Sequence, residues 1–226
     1  DGLIRANEEM TAWMRGERAR AHVVDVRGEV EHQLGEHVAP LASGMQVEPG
    51  AVIRSGEDSS LTLEFPDGSR SLVGANTELT LREIRRLKAS GAQQLDVELR
   101  RGHIENTVRP VSRGGGRHRI HTPAAVAAVG GTDFRATAQG DGLRAETLEG
   151  EVALQNRRGT TRLPAGTGSY VTPGKAPEAS SRLLPAPQLG SLPARIDRVP
   201  FRVAIEPVAG AVRYRMQIAA DAGFTA

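Results

Sequence analysis

His118 and His121 are the closest-spaced histidines with metal-binding potential, and His22, His32, His37 and His103 precede them at scattered positions. A metal site needs three or four convergent ligands. On a strand, a spacing of three sends two side chains to opposite faces. The pair therefore reads as solvated loop histidines, and no metal or cofactor is expected. Glu146, Glu149 and Glu151 could supply the paired carboxylates of a glycosidase. Glu146, however, points away from the face of Ala145 and Thr147, and Glu149 precedes a turn glycine, where a carboxylate bonds backbone amides. Ser69 has no G-x-S-x-G elbow around it. Pro66-Asp67-Gly68-Ser69 reads instead as a hairpin turn in which Asp67 bonds its own backbone. Gly114-Gly115-Gly116 lacks the Lys-Ser/Thr that would make it a phosphate loop. Gly130-Gly131-Thr132 offers amides at a bend, suited to an anion nest or, more often, to a tight strand corner. No nucleophile–base pair emerges, so the chain reads as non-enzymatic.

What remains is charge. Arg109, Arg113 and Arg117 punctuate the stretch RPVSRGGGR, a flexible cationic loop. Asp133 and Arg135 flank Phe134 on the polar side of a strand. These five residues form a candidate interaction surface, because guanidinium groups fork onto carboxylates. Acidic proteins and peptidoglycan both present carboxylates. The plainer reading is a solvated loop beside ordinary surface salt bridges, which contribute little.

The elements that would position these groups are strands. Leu61/Leu63/Phe65, Leu95/Val97/Leu99 and Phe134/Ala136/Ala138 alternate with polar residues, the period of half-buried strands. Gly140-Asp141-Gly142 signals a hairpin. Pro123 suits the start of a strand, since it donates nothing to a ladder. One regularity spans the chain. Val26-x-Gly28-x-Val30 recurs 122 residues later as Leu148-x-Gly150-x-Val152, and Leu41-x-x-Gly44 recurs at the same offset as Leu163-x-x-Gly166. That pattern predicts two related copies framing the central hairpins.

Composition agrees with this picture. Of 226 residues, 38% are hydrophobic and only 3% aromatic, so the core is built from Val, Leu, Ala and Ile. The 26 glycines and 13 prolines suit many short strands and turns. The 29 basic and 27 acidic residues interleave, which argues against nucleic acid as a partner. Cysteine is absent, so disulfides and thiol chemistry are excluded. No apolar run is long enough to span a membrane as a helix.

Two stretches resemble the FecR-domain family. Thr122-Pro123, Ala125, Ala128-Val129, Gly131-Thr132 and Phe134, followed by Leu148-Glu149-Gly150 and Val152, follow the family's T-P-x-A-x-x-A-V-R-G-T-x-F and L-E-G-x-V signatures. Upstream, Ile53-Arg54, Gly56, Phe65, Asp67-Gly68-Ser69, Asn76-Thr77, Leu79 and Leu81 match the family's first half. Gly130 departs from the pattern, which carries arginine there. The resemblance implies an all-β domain of antiparallel hairpins, a sandwich or solenoid, over 22–172. It also implies a periplasmic or otherwise extracytoplasmic place in a Gram-negative envelope.

Residues 1–21 are expected to be a linker or the remnant of a preceding module. Ile4-Arg5 and Trp13-Met14-Arg15 are similar to the end of a LysM, peptidoglycan-binding module. The stretch 173–198 is rich in proline and reads as a linker. The run VAGAVRYRMQIAADAGF within 199–226 resembles the start of a fibronectin type III or Ig-like module, too short for a full sandwich. The chain therefore reads as a piece of a larger protein. The implied function is a non-catalytic interaction and scaffold module of the envelope, whose partner is an envelope protein or peptidoglycan. The alternative is a sensor that regulates a sigma factor in response to an outer-membrane siderophore transporter, and a carbohydrate-active enzyme is a distant third.

Overall fold

The computed structural model describes residues 16–88, 90–109, 116–188, 190, 202–212 and 214. The expected LysM remnant and most of the expected fibronectin-like module lie outside them. The domain is all-β. Its strands are β1 (Glu17–Arg18), β2 (Ala21–Arg27), β3 (Val30–Leu34), β4 (His37–Pro40), β5 (Gln46–Val47), β6 (Val52–Ser55), β7 (Ser60–Glu64), β8 (Arg70–Val73), β9 (Glu78–Arg86) and β10 (Gln93–Thr107). They continue with β11 (Arg117–His121), β12 (Val126–Val129), β13 (Asp133–Gln139), β14 (Gly142–Glu149), β15 (Glu151–Asn156), β16 (Gly159–Pro164) and β17 (Thr167–Val171).

The pairings make two sheets. One runs β4-β3-β6-β9-β10-β11-β12-β15-β16, with β1 also on β9. The other runs β5-β2-β7-β8-β10-β13-β14-β17. Among the described residues, each of these pairs is antiparallel except β10 with β11. Strand β10 belongs to both sheets: residues 93–101 pair with β9, and residues 102–107 pair with β13. Every strand before β10 lies on one flank of it and every strand after it on the other.

The three alternating triplets face the core as expected. Leu61, Leu63, Phe65, Leu95, Val97, Leu99, Phe134, Ala136 and Ala138 are all buried. Along β10 the inward set changes parity, from Leu95, Val97 and Leu99 to Ile104 and Asn106. Arg100 and Arg101 are exposed at the change, and the register with β9 slips between Leu99 and Arg101. A bulge of this kind bends a strand, and here it lets one strand serve two sheets.

The chain passes between sheets at a row of corners built alike. Gly56-Glu57-Asp58-Ser59 and Gly74-Ala75-Asn76-Thr77 share one conformation, with Asp58 at φ 54° and Asn76 at φ 53°. Short polar side chains tolerate this left-handed region best among residues other than glycine. Ser59 Oγ donates to Glu57 O (3.0 Å) and accepts from Glu29 N (2.9 Å). Thr77 Oγ1 donates to Ala75 O (3.1 Å) and accepts from His103 N (3.0 Å). Each hydroxyl faces a glycine on the neighbouring corner, Gly28 and Gly102 respectively. A Cβ on Gly102 would sit 2.5 Å from Thr77 Cα, and its φ is +96°. Between these corners, Ser55 N donates to Thr77 O (3.0 Å) and Thr77 N to Ser55 Oγ (3.0 Å), so the hydrogen bonding is continuous along the row.

A third corner, Gly130-Gly131-Thr132, is one residue shorter. Gly131 takes the positive φ, at 100°, and Gly150 is the facing glycine. Thr132 Oγ1 is buried and has no partner among the described residues. A Cβ at Gly130 would meet nothing within 4 Å, so the departure from the family's arginine relieves no crowding.

The repeat is real at the level of pairing. His32 pairs with Ala39, and 122 residues on Leu154 pairs with Thr161. Gly28 and Gly150 both follow a strand of the second sheet at φ 70° and 75°, and Gly44 and Gly166 match at 87° and 75°. The last strands of the copies are offset by two further residues. Val47-Glu48-Pro49-Gly50 and Val171-Thr172-Pro173-Gly174 end in the same turn, closed by Ala51 N to Glu48 O (3.2 Å) and Lys175 N to Thr172 O (3.1 Å).

One compact unit ends at Ser181, so the first part of the expected linker packs on the domain instead. Side chains hold its carbonyls there: Asn156 Nδ2 donates to Lys175 O (2.7 Å), Thr161 Oγ1 to Pro177 O (3.3 Å) and Ser169 Oγ to Glu178 O (2.8 Å).

Two substitutions test these contacts in urea melts. Phe134→Ala, which empties the largest fully buried side chain, is expected to cost about 3–5 kcal/mol. Gly102→Ala is expected to cost about 2–4 kcal/mol, from the left-handed φ and the clash with Thr77 together. An unchanged melt for either variant would contradict the packing or the corner described.

Candidate functional site

The tip of the β7–β8 hairpin is held from inside. Ser69 N donates to Asp67 Oδ1 (2.9 Å), which is the self-bonded turn expected from Asp-Gly-Ser. Asp67 N donates to Gln93 Oε1 (3.1 Å), and the buried Ser69 Oγ accepts from Arg109 N (3.0 Å). Arg109 then lies across Gly68, whose absent Cβ would sit 2.9 Å from Arg109 Nε. The result is an open pocket of about 390 Å³ lined by Arg20, His22, Glu64, Phe65, Pro66, Asp67, Gly68 and Arg109.

Most charges around this pocket are already engaged. Arg20 pairs with Glu48 (2.7 Å), and Glu64 pairs with Arg70 (2.7 Å). Among the described residues, no carboxylate pairs with Arg109. It is therefore the group on this rim most available to an incoming anion, and a planar guanidinium can take a carboxylate by two parallel bonds.

The other residues of the expected surface do not converge on it. Arg117 starts β11 in the first sheet and reaches Asp96 (3.5 Å) and Glu83 (3.9 Å). Arg135 lies in β13 of the second sheet and reaches Glu105 (3.4 Å) and Glu146 (3.8 Å). Asp133 opens that same strand opposite Glu149, beside a register shift. Arg113 lies outside the described residues. The two described arginines beyond Arg109 thus sit in outer-face ion pairs on different sheets, the arrangement given above as the plainer reading.

The motif residues turn out to shape turns. Asn76, Gly131, Thr132 and Gly150 belong to the corners, with Phe134 just inside. Asp67, Gly68 and Ser69 make the hairpin tip. Thr122 and Pro123 make another turn, where Thr122 Oγ1 donates to Ala125 O (2.8 Å) and accepts from Ala125 N (3.2 Å). Glu149 is exposed.

One residue was misplaced by sequence reasoning. His118 is not a solvated loop histidine. It sits in β11 on the inward side, 4% exposed, with its ring edge-on to Phe65 at 6.1 Å. His118 Nε2 and the nearby Gln93 Nε2 have no partner among the described residues. Its alternation with the buried Ile120 was the available signal, overlooked because the adjoining arginine-glycine run reads as loop. His121, on the opposite face as its spacing requires, lies 3.4 Å from Asp96. Among the described residues no group of three or more His, Asp or Glu is placed to hold a metal ion.

Residues 51–153 match the family model described as FecR protein. The chain carries a FecR domain. The matched span begins just before β6, ends within β15, and takes in the corners from Gly56 to Gly150; it leaves out the first copy of the internal repeat. No curated protein matches the chain. Two crystal structures, at 2.50 and 1.65 Å, of "a putative anti-sigma factor from Parabacteroides distasonis ATCC 8503" are similar to it, each at 17% identity and TM-score 0.48, over 58% of this chain and 59% of that one. The chain thus spans about three-fifths of the length of those structures.

The buried imidazole of the FecR domain gives stability a pH dependence. Burial pushes the His118 pKa down from 6.5 to about 4, against the opposing pull of Asp67 and Asp96. The unfolded chain takes up this proton near pH 6.5 and the folded domain only near pH 4, so between them the unfolded state holds more protons and stability rises with pH. The contribution is complete above pH 6.5 and is lost as pH falls toward 4, a change of about 3 kcal/mol. Urea melts at pH 7 and 4.5 are expected to show this loss in the parent chain and much less of it in His118→Leu. Equal losses in both would remove His118 from the account.

Proposed function

We propose that this FecR domain is the extracytoplasmic, non-catalytic sensing domain of a system that regulates a sigma factor, and that it works by docking an envelope protein at the Arg109 end. The match of residues 51–153 to the FecR family carries the reading. The resemblance of the turn motifs to that family points to signal relay from an outer-membrane transporter. The described surface adds one suitable contact, an arginine on the rim of an open pocket with no carboxylate partner of its own. Because Arg109 is anchored through its backbone to Ser69, its head group is presented from a fixed base.

A second reading keeps the domain as an envelope scaffold that holds peptidoglycan. It draws on the same arginine, since the stem peptides of that polymer also carry carboxylates. Neither reading involves turnover of a substrate.

In the encoding organism, Arg109→Glu in the full-length protein is expected to lower transcription from the sigma-dependent promoter by more than about tenfold, since breaking a charge pair buried in a complex costs about 2–5 kcal/mol. Protein abundance and thermal melt should stay unchanged. Transcription indifferent to Arg109→Glu, together with salt-sensitive binding of the parent domain to purified peptidoglycan that this change abolishes, would replace the sensor with the scaffold. Hydrolysis of a glycan, peptide or ester, lost on a single carboxylate or serine change, would overturn both.

A further inference from the structure

Strand β10 presents two consecutive arginines at the bulge where it changes sheet. Leu99 faces the core, the register with β9 then slips, and Arg100 and Arg101 both emerge on the outer side, their side chains 73% and 64% exposed. Strand pairing places Arg54 of β6 and Arg101 on either side of Glu78 in β9. All three guanidinium groups reach that one carboxylate: Arg54 Nε at 3.5 Å, Arg100 Nη1 at 3.8 Å and Arg101 Nη2 at 3.8 Å. The Glu78 side chain is only 17% exposed. The base of this cluster is fixed, because Thr77, the residue before Glu78, accepts from His103 N (3.0 Å) just beyond the bulge.

This ratio reverses that of the outer-face pairs described above. Arg117 and Arg135 each lie between two carboxylates. Arg82 and Glu98 meet one to one, at 2.8 Å. Here three guanidinium groups share one carboxylate, and none comes closer than 3.5 Å. Arg54 has further partners: it donates to Gln33 Oε1 (2.9 Å) and lies 3.9 Å from Glu31. Arg100 and Arg101 have no other carboxylate partner among the described residues. The excess positive charge therefore sits on these two adjacent heads, which converge from one bulge on the same carboxylate. Each head carries five N–H donors in a rigid fork. A contact of 3.8 Å is longer than a hydrogen bond, so Glu78 leaves those donors open.

We propose that Arg100 and Arg101 form a binding site for a phosphate group, carried as a monoester or as the free ion. The occupant follows from charge and shape. A phosphomonoester carries nearly two negative charges at neutral pH and three terminal oxygens, enough to accept a fork from each guanidinium at once. A carboxylate offers one charge and two oxygens, which a single arginine already satisfies. Glu78, less exposed than the two heads it joins, holds them together, while Arg54 on its other side offsets its charge. This site does not depend on Arg109 or on the sigma-factor reading.

The whole chain is titrated with inorganic phosphate and with acetate by isothermal titration calorimetry, at about pH 7.5 and constant ionic strength. The expected result is saturable phosphate binding with a Kd of about 1–10 mM, at least about tenfold tighter than acetate. Arg100→Gln together with Arg101→Gln, both at exposed positions, should abolish it. Arg82→Gln, which removes a paired arginine from the same face, should leave it intact. Glu78→Gln should tighten it about three- to tenfold, because a like charge is removed. Vesicles of phosphatidylcholine with and without phosphatidic acid, whose headgroup is a phosphomonoester, distinguish the source. Cosedimentation with the acidic vesicles that is lost in the double glutamine variant assigns a lipid headgroup, and phosphate binding without cosedimentation assigns a soluble phosphate. No saturation up to about 50 mM phosphate, equal affinity for acetate, binding unmoved by the double glutamine variant, or an equal loss in Arg82→Gln overturns the proposal.

Discussion

The structure depends on a hydroxyl that faces a glycine where the chain turns from one sheet to the other. At Ser59 and Thr77 the hydroxyl closes its own turn and accepts the amide that follows the opposing glycine. Both partners are needed, because a hydroxyl deprived of its amide is a buried unsatisfied group and a side chain in place of the glycine has nowhere to go. With the corners fixed, the register of each sheet is fixed, and with it which side chains enter the core. Few aromatics are then needed, since small and branched side chains fill a space whose walls are set by the backbone.

Much of this was legible in the sequence, for reasons that can be named. Strict alternation at Leu61/Leu63/Phe65, Leu95/Val97/Leu99 and Phe134/Ala136/Ala138 marks strands because each face meets a different medium. The 122-residue recurrence survived translation into paired strands because glycines at left-handed positions and inward leucines are both hard to replace. Other features were hidden. The equivalence of Gly56–Ser59 and Gly74–Thr77 rests on Asp and Asn sharing a conformation, which no hydrophobic pattern reveals. His118 was obscured by the arginines and glycines beside it, although its burial makes it one of the costlier groups in the core. The scatter of Arg117 and Arg135 over two sheets could not be read from their nearness in sequence, since the corner between β12 and β13 separates them.

The charges follow a simple division. On the outer faces, arginines and carboxylates meet across strands, as with Arg82 and Glu98 (2.8 Å) or Arg70 and Glu64 (2.7 Å). Such exposed pairs contribute little to stability. Against that background Arg109 stands out on its concave rim, where its neighbours Arg20 and Glu64 are paired and it has no carboxylate partner among the described residues.

Strand β10 has a bearing on how the molecule comes into being. Because it divides the domain by order of synthesis, the ribosome releases one complete flank, with its corners and half of each sheet, before the remaining strands exist. A nascent chain that has reached residue 107 holds every partner strand of that flank, and the other side of β10, fifteen residues long, has no partner yet in either sheet. Such an edge invites pairing with a neighbouring chain. The run that follows, RPVSRGGGR, is cationic and poor in strand-forming residues, and charges in that position discourage the encounter until β11 arrives to close it.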